Sequence, residues 1–321
     1  MCKECGCGLP GDASVQIRAH DKDGAGGHHY AHPHNHDHGY GQDHEHEHEH
    51  EHEHEHHHHH RHGHGEAHSH THTHEQEHAS SSSITDQVNA PRTLEIRRSI
   101  LEKNERLAER NRGFFLAQKL LVLNVLSSPG SGKTTLLTET IRALEPDFKC
   151  GVIVGDLATD NDARRLGTTG APVVQITTGT VCHLEAEMVG RAVGQIDLTG
   201  LHLLFIENVG NLVCPASYDL GEHLRVVLVS VTEGEDKPLK YPPIFQSADV
   251  VIVTKMDLAE ACGFSRETLM GNLRRVAPKA RVFELSTRSE QGMEDWKNYL
   301  LQEQKRRQDR GFSEDGLRNR P

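Results

Sequence analysis

The sequence predicts an α/β protein built on a doubly wound, mainly parallel sheet, preceded by a His-rich region with no fold of its own. Two observations carry that expectation. From Ile84 onward, short apolar runs rich in β-branched residues alternate with helical patterns, the signature of parallel strands covered on both faces. Ahead of them, residues 10–83 have almost no aliphatic side chains and cannot bury enough apolar surface to offset the entropy of ordering. Charge divides in the same way: the whole net charge of −12 falls in residues 1–90, and residues 91–321 balance to zero. The C-terminal part therefore has no basic field to draw it onto nucleic acid. No apolar run approaches the roughly 18 residues of a membrane span, and the N-terminus has Cys and Gly where a secretory signal needs an apolar stretch. The expectation is a cytoplasmic chain that binds neither nucleic acid nor membrane.

Four segments follow. Residues 1–9 hold the cluster Cys2-Lys3-Glu4-Cys5-Gly6-Cys7-Gly8. Residues 10–83 are low-complexity, with alternating His and Glu over 44–55 and a His run over 56–60. Residues 84–118 form a lead-in helix, its apolar positions running from Leu94 through Ile100, Leu101 and Leu107 to Phe114. Residues 119–321 are the sheet domain, with strands at 120–126, 151–154, 173–176, 201–206, 225–231, 250–254 and 281–285. Helices are expected at 134–144, 183–194, 265–276 and 292–304.

The first strand runs into Ser127-Ser128-Pro129-Gly130-Ser131-Gly132-Lys133-Thr134 and then a helix. This is the phosphate-binding pattern G-x-x-x-x-G-K-[ST] with Ser127 in place of the first Gly, in the strand–loop–helix context that the motif requires. Gly130, Ser131 and Gly132 would turn backbone N–H groups onto phosphates, at a helix N-terminus that adds positive potential. Lys133 would reach the β- and γ-phosphates, and Thr134 would offer its hydroxyl to Mg²⁺, with Thr135 following. Lys255-Met256-Asp257 closes another strand, where a carboxylate accepts from both guanine N1–H and N2–H₂ but is left unpaired by adenine. Thr254 stands there in place of an Asn. Glu207-Asn208-Val209-Gly210 resembles Asp-x-x-Gly with Glu substituted, and Gly155-Asp156 offers a second carboxylate for Mg²⁺. All of these fall at the carboxyl ends of strands, the edge where open α/β sheets bind ligands. The combination favours GTP with Mg²⁺; Lys133, Asp156 and Glu207 are the expected catalytic residues, and Gly210, Lys255 and Asp257 complete the nucleotide site.

Cysteine and histidine form a second theme. Cys182, His183 and Cys214 lie in loops on the same edge, and two thiolates with an imidazole suit Zn²⁺ or Ni²⁺ with one position open. Each of them alone is equally at home as a core residue. C-x-x-C-x-C at Cys2, Cys5 and Cys7 can wrap three thiolates around one ion, and a terminal amine could complete a four-coordinate N/S set, which Ni²⁺ accepts in square-planar form. The alternative there is a redox-active or incidental cluster. The His/Glu tract, carrying 25 of the 28 histidines between His20 and His78, offers many weak, exchangeable sites.

These motifs together resemble the HypB GTPases that deliver nickel to [NiFe]-hydrogenase. The matching segments are Cys2…Cys5-Gly6-Cys7-Gly8, 127–135, Gly155-Asp156…Asp160, Cys182-His183-Leu184-Glu185, 207–215, 232–242 and 255–257. The resemblance implies a P-loop GTPase of the SIMIBI type with slow turnover, acting as a homodimer favoured by GTP. It places a high-affinity nickel site on Cys2, Cys5 and Cys7, and a nickel or zinc site on Cys182, His183 and Cys214. It further implies a HypA-type partner, a hydrogenase large-subunit precursor as recipient, and nickel storage in the His-rich tract. Two other classes remain open: a nickel/zinc storage protein, and a P-loop ATPase of the partitioning type.

Overall fold

The computed structural model describes residues 16–20, 84–145 and 147–309. The chain divides into two units, Met1–Gly24 with Ala90–Pro321, and Ala25–Asn89; of the second, only the opening of helix α1 is among the described residues. The elements are β1 (Gln16–His20), α1 (Ile84–Ala117), β2 (Leu121–Leu126), α2 (Lys133–Leu144), β3 (Cys150–Asp156), α3 (Asn161–Gly167), β4 (Val173–Thr177) and α4 (Ala186–Val193). They continue with β5 (Leu203–Glu207), β6 (Leu224–Ser230), α5 (Lys237–Lys240), α6 (Pro242–Gln246), β7 (Val250–Thr254), α7 (Arg266–Val276), β8 (Arg281–Glu284) and α8 (Met293–Asp309).

The described strands form one sheet in the order β1-β4-β3-β5-β2-β6-β7-β8, parallel except where β1 runs antiparallel to β4. The doubly wound α/β expectation is met. Side-chain alternation explains why the strands read as unbroken apolar runs. Leu121 and Leu123 point to one core with Leu137 and Ile141 of α2 and Trp296 and Leu300 of α8. Val122 points to the other, with Phe115 of α1 and Val189 of α4. A third cluster places Val227, Val229, Val251 and Val253 under Phe245 of α6 and Leu269 and Leu273 of α7. The one tryptophan is buried and keeps its polar handle satisfied, Nε1 donating to Thr140 Oγ1 at 3.1 Å.

Three differences from the sequence reading have physical causes. Residues 16–20, read as part of the structureless tract 10–83, pair with β4 as an edge strand, and Ile17 packs on the cluster beneath α1 and α4. Helix α4 begins at Ala186 rather than at 183, because Asn104 Oδ1 accepts from Ala186 N at 2.9 Å and Asn208 Oδ1 accepts from Leu184 N at 3.3 Å. Helix α8 runs past 304 because Gln304 is buried and donates to Lys119 O at 3.1 Å. Lys119 itself has φ 54° and closes α1 as a left-handed cap. Leu120 N donates to Phe115 O, Lys119 N donates to Leu116 O, and Leu120 and Phe115 share one core cluster.

Helix α1 lies across the loops that follow β4 and β5. Asn104 Nδ2 donates to Asp219 O at 2.7 Å, Asn111 Nδ2 donates to both Ala186 O and Leu220 O, and Arg112 pairs with Asp219. Gly221 permits this approach. Its φ is +88°, and a Cβ there would lie 2.5 Å from Ala108 O and 2.9 Å from Arg112 N. Gly221→Ala is expected to lower stability by about 2–4 kcal/mol, from left-handed strain plus backbone overlap. An unchanged urea midpoint would mean that α1 does not rest on this turn.

Candidate functional site

The carboxyl ends of β2, β3, β5 and β7 meet where α2 begins. β2 delivers the loop 127–134, with Gly130 at φ +75° and Gly132 at φ +98°, backbone that residues with a Cβ rarely adopt. Ser127 is sealed, and Lys133 Nζ donates to its Oγ at 3.0 Å. Ser131 Oγ donates to Ser128 O at 3.0 Å and to Glu233 Oε1 at 2.6 Å. Thr134 Oγ1 donates to Glu207 Oε1 at 2.8 Å. Glu207 is only 3% exposed, and its Oε2 has no hydrogen-bond partner.

Burial dominates the electrostatics here. Desolvation pushes Glu207 up to about 7 against the opposing pull of Lys133 and Thr134. It also pushes Lys133 down, although Glu207, Asp162, Glu233 and Asp156 all favour its charged form. A cramped ammonium, a threonine hydroxyl and a buried carboxylate with one unpaired oxygen form a donor set suited to a hard divalent cation and a polyphosphate. Asp156, by contrast, is turned into its own loop, accepting from Thr159 Oγ1 at 2.7 Å and from Ala158 N. It makes no hydrogen bond to Thr134 or Lys133.

β7 brings the second corner. Lys255, at φ 61°, donates through Nζ to Gly130 O at 2.8 Å. Thr254 Oγ1 donates to Ser131 O at 2.7 Å, so the residue in place of Asn ties this strand end to the phosphate loop. Asp257 Oδ1 accepts from Ser286 Oγ at 2.7 Å, and Met256 N donates to Leu285 O. Ser286 was not singled out from the sequence; the only available signal was that it follows a strand ending on the same edge. The segment after β6 also closes on the loop: Glu233 bonds Ser131, and Lys237 Nζ donates to Ser128 Oγ at 3.2 Å while sitting 5.3 Å from the Tyr241 ring centre. Gly210 leans on Pro129, with room for a Cβ only at 3.2 Å.

The thiol and imidazole residues meet nearby. One ligand atom each from Cys182, His183 and Cys214 lies within 4.8 Å of the other two. Tetrahedral bonds of about 2.0–2.3 Å separate donors by about 3.3–3.8 Å, so one ion would draw them together by roughly 1 Å. His183 is 3% exposed, its ring stacked on Tyr218 at 3.9 Å, and neither ring nitrogen has a hydrogen-bond partner. Glu185 Oε1 stands 3.6 Å from His183 Nε2. Buried imidazole nitrogens without partners fit a metal ligand better than a structural histidine. Of the expected sites, Cys2, Cys5 and Cys7 and nearly all of the His-rich tract lie outside the described residues.

A glycine-rich loop between β2 and α2, on the ligand-binding edge of a parallel sheet, defines a nucleotide-binding protein of the phosphate-loop class. The family model for the CobW/HypB/UreG nucleotide-binding domain matches residues 121–284. Hydrogenase maturation factor HypB of Escherichia coli K12 is 51% identical over 209 residues, covering 65% of this chain and 72% of that protein. Hydrogenase/urease maturation factor HypB of Helicobacter pylori 26695 is 44% identical over 216 residues, covering 66% and 88%. The crystal structure of HypB from Helicobacter pylori in complex with nickel superposes with a TM-score of 0.61 at 42% identity, covering 66% of this chain and 98% of that one. HypB from Archaeoglobus fulgidus gives 0.60 at 37% identity, covering 63% and 99%. The chain belongs to the CobW/HypB/UreG family, and within it to the HypB group.

The raised Glu207 has a measurable consequence in the nucleotide-free chain. Its folded value of about 7 lies above the ordinary 4.5. The stabilisation from that retained proton is fully present below about pH 4.5 and is lost as pH rises through about 7. Thermal stability of the nucleotide-free chain should therefore fall between about pH 5 and about pH 8, and Glu207→Gln should flatten that fall. Equal pH slopes in parent and variant would show that Glu207 ionises normally.

Proposed function

We propose that this chain is a GTP-hydrolysing nickel carrier that supports insertion of nickel during hydrogenase maturation. One observation carries the reading: a phosphate loop and a Cys182–His183–Cys214 cluster share one sheet edge and are joined through the segment 207–214. The nickel complex of the Helicobacter pylori relative supports nickel as the cargo, and the relatives' names support hydrogenase maturation as the setting. Among the described residues no helix is long and apolar enough to cross a membrane.

In this reading Lys133 leaves Ser127 for the β- and γ-phosphates, and the amides of 130–135 line the same groups. Glu207 uses its unpaired oxygen to orient the attacking water, and its depressed acidity suits it to hold a proton near neutral pH. Mg²⁺ held by Thr134 and Asp156 would supply neutralisation of the phosphate charge. Asp257, steadied by Ser286, reads the base, and Gly210 senses the γ-phosphate. Turnover is slow because the water must be positioned by a switch assembled on binding. Zinc competes for the inner cluster, Cys2, Cys5 and Cys7 form a tighter nickel site, and the His-rich tract stores cargo. A homodimer, a HypA-type partner and a hydrogenase large-subunit precursor belong to the same reading.

Two measurements test it. Asp257→Asn exchanges one acceptor for a donor, matched to xanthine rather than guanine. GTP affinity should fall by about 2–4 kcal/mol while XTP affinity rises; unchanged affinities for both would remove Asp257 as base reader. Deleting residues 28–78, which spares strand β1, should sharply lower bound nickel by elemental analysis while GTP turnover persists. A collapse in turnover would place the tract in the catalytic unit.

A further inference from the structure

The turn carrying Cys182 and His183 is held by asparagine side chains from two directions. From α1, Asn104 Oδ1 accepts from Ala186 N at 2.9 Å and Asn111 Nδ2 donates to Ala186 O at 2.8 Å. From the loop after β5, Asn208 Oδ1 accepts from Leu184 N at 3.3 Å and from Val209 N at 2.9 Å. Asn211 Nδ2 donates to Cys182 O at 3.3 Å, and its Oδ1 accepts from Val213 N at 2.8 Å.

Asn208 is the most constrained of these. It is 1% exposed, and its Nδ2 donates to Asn124 Oδ1 in the central strand β2 at 3.2 Å. Asn124 in turn donates to Glu222, which pairs with Arg225. Every polar atom of the Asn208 amide group is thus engaged inside the protein. Its chain neighbour on one side is Glu207, which accepts from Thr134 of the phosphate loop. The residue it holds, Leu184, directly follows His183. A path of two hydrogen bonds and two covalent steps therefore runs from Thr134 to His183.

We propose that Asn208 is a positioning residue that transmits the nucleotide state from Glu207 to the Cys182–His183 arm of the metal cluster. This rests on the nickel and nucleotide roles proposed above. If the segment 207–210 moves with the γ-phosphate, Leu184 must follow or a buried N–H is left unpaired, and following is the less costly course. Cys214 sits on the same moving segment. Without Asn208 that ligand would shift alone; with it, both arms respond to one event, which is what a sharp change of metal affinity requires.

The test uses the full chain carrying Cys2→Ser, Cys5→Ser and Cys7→Ser, titrated with Co²⁺ in GDP and in a non-hydrolysable GTP analogue. Sulfur-to-cobalt absorption then reports the inner thiolates, and the His-rich tract, which gives no such band, competes equally in both states. The parent should show a nucleotide-dependent affinity ratio of roughly fivefold to thirtyfold. Asn208→Ala should bring the ratio within about twofold. Asn208→Asp keeps an acceptor for Leu184 N and should retain most of it. A parental ratio in Asn208→Ala overturns the inference while leaving the metal reading in place. Loss of the ratio in Asn208→Asp, with the sulfur-to-cobalt band intact, also overturns it and decides the matter even if the alanine variant does not fold. No sulfur-to-cobalt band in the parent, or no nucleotide dependence there, removes the proposed carrier function and the inference with it.

Discussion

The hydrogen bond from Thr134 to Glu207 joins the phosphate loop to the strand that leads toward the cysteine–histidine cluster, and much of the site is arranged around it. Only one carboxylate oxygen is satisfied. Leaving the other buried and unpaired is unfavourable, and the upward pressure on the Glu207 pKa and the downward pressure on that of Lys133 express the same shortage of compensating charge. A nucleotide with its cation would relieve both groups at once. Glu207 is continuous in the chain with Asn208, which accepts from Leu184 N, and with Gly210, which lies against Pro129 of the phosphate loop.

Helix α1 supplies the opposing constraint. Asn104, Asn111 and Arg112 hold Ala186, Asp219, Leu220 and Glu222, so the two loops flanking the cluster are fixed on their outer side. Arg225 adds an inner brace, donating to Ala216 O and Tyr218 O and pairing with Glu222. Tyr218 lies against the His183 ring. Both loops flanking the cluster are thus fixed at their bases by side chains from α1 and β6.

The sheet was legible because both its faces are covered: most positions of each inner strand had to be apolar, and seven strands stand within two residues of where the pattern put them. The phosphate loop was legible because its glycines answer a backbone requirement that other residues meet poorly. Strand β1 was hidden by its surroundings, since one partly buried Ile17 on an edge gives little signal beside a long polar tract. Helix α3, with only Ala163 and Leu166 buried, shows too little apolar periodicity over seven residues to stand out. Ser286 and Glu233 act through contacts made across more than 25 positions of sequence, which local patterning does not encode. Thr254 looked like a weakened motif, yet its hydroxyl makes the contact that anchors β7 to the phosphate loop. Asp156 was read from its place at a strand end; its contact with Thr159 inside its own turn gives no sign in the local pattern.

The donor count of the inner cluster bears on what such a site is for. Structural zinc sites are closed by four protein ligands, whereas three leave a position for water or for a donor from another molecule. Cys182, His183 and Cys214 are three, and they are held by loops rather than by the strands themselves. Glu185 Oε1 stands 3.6 Å from the imidazole Nε2, just beyond hydrogen-bond distance. Burial of His183 excludes water from one side, while the partly exposed cysteines leave the other approachable. Three donors of this kind, with the imidazole buried and both cysteines partly exposed, leave room for a fourth from water or from another molecule.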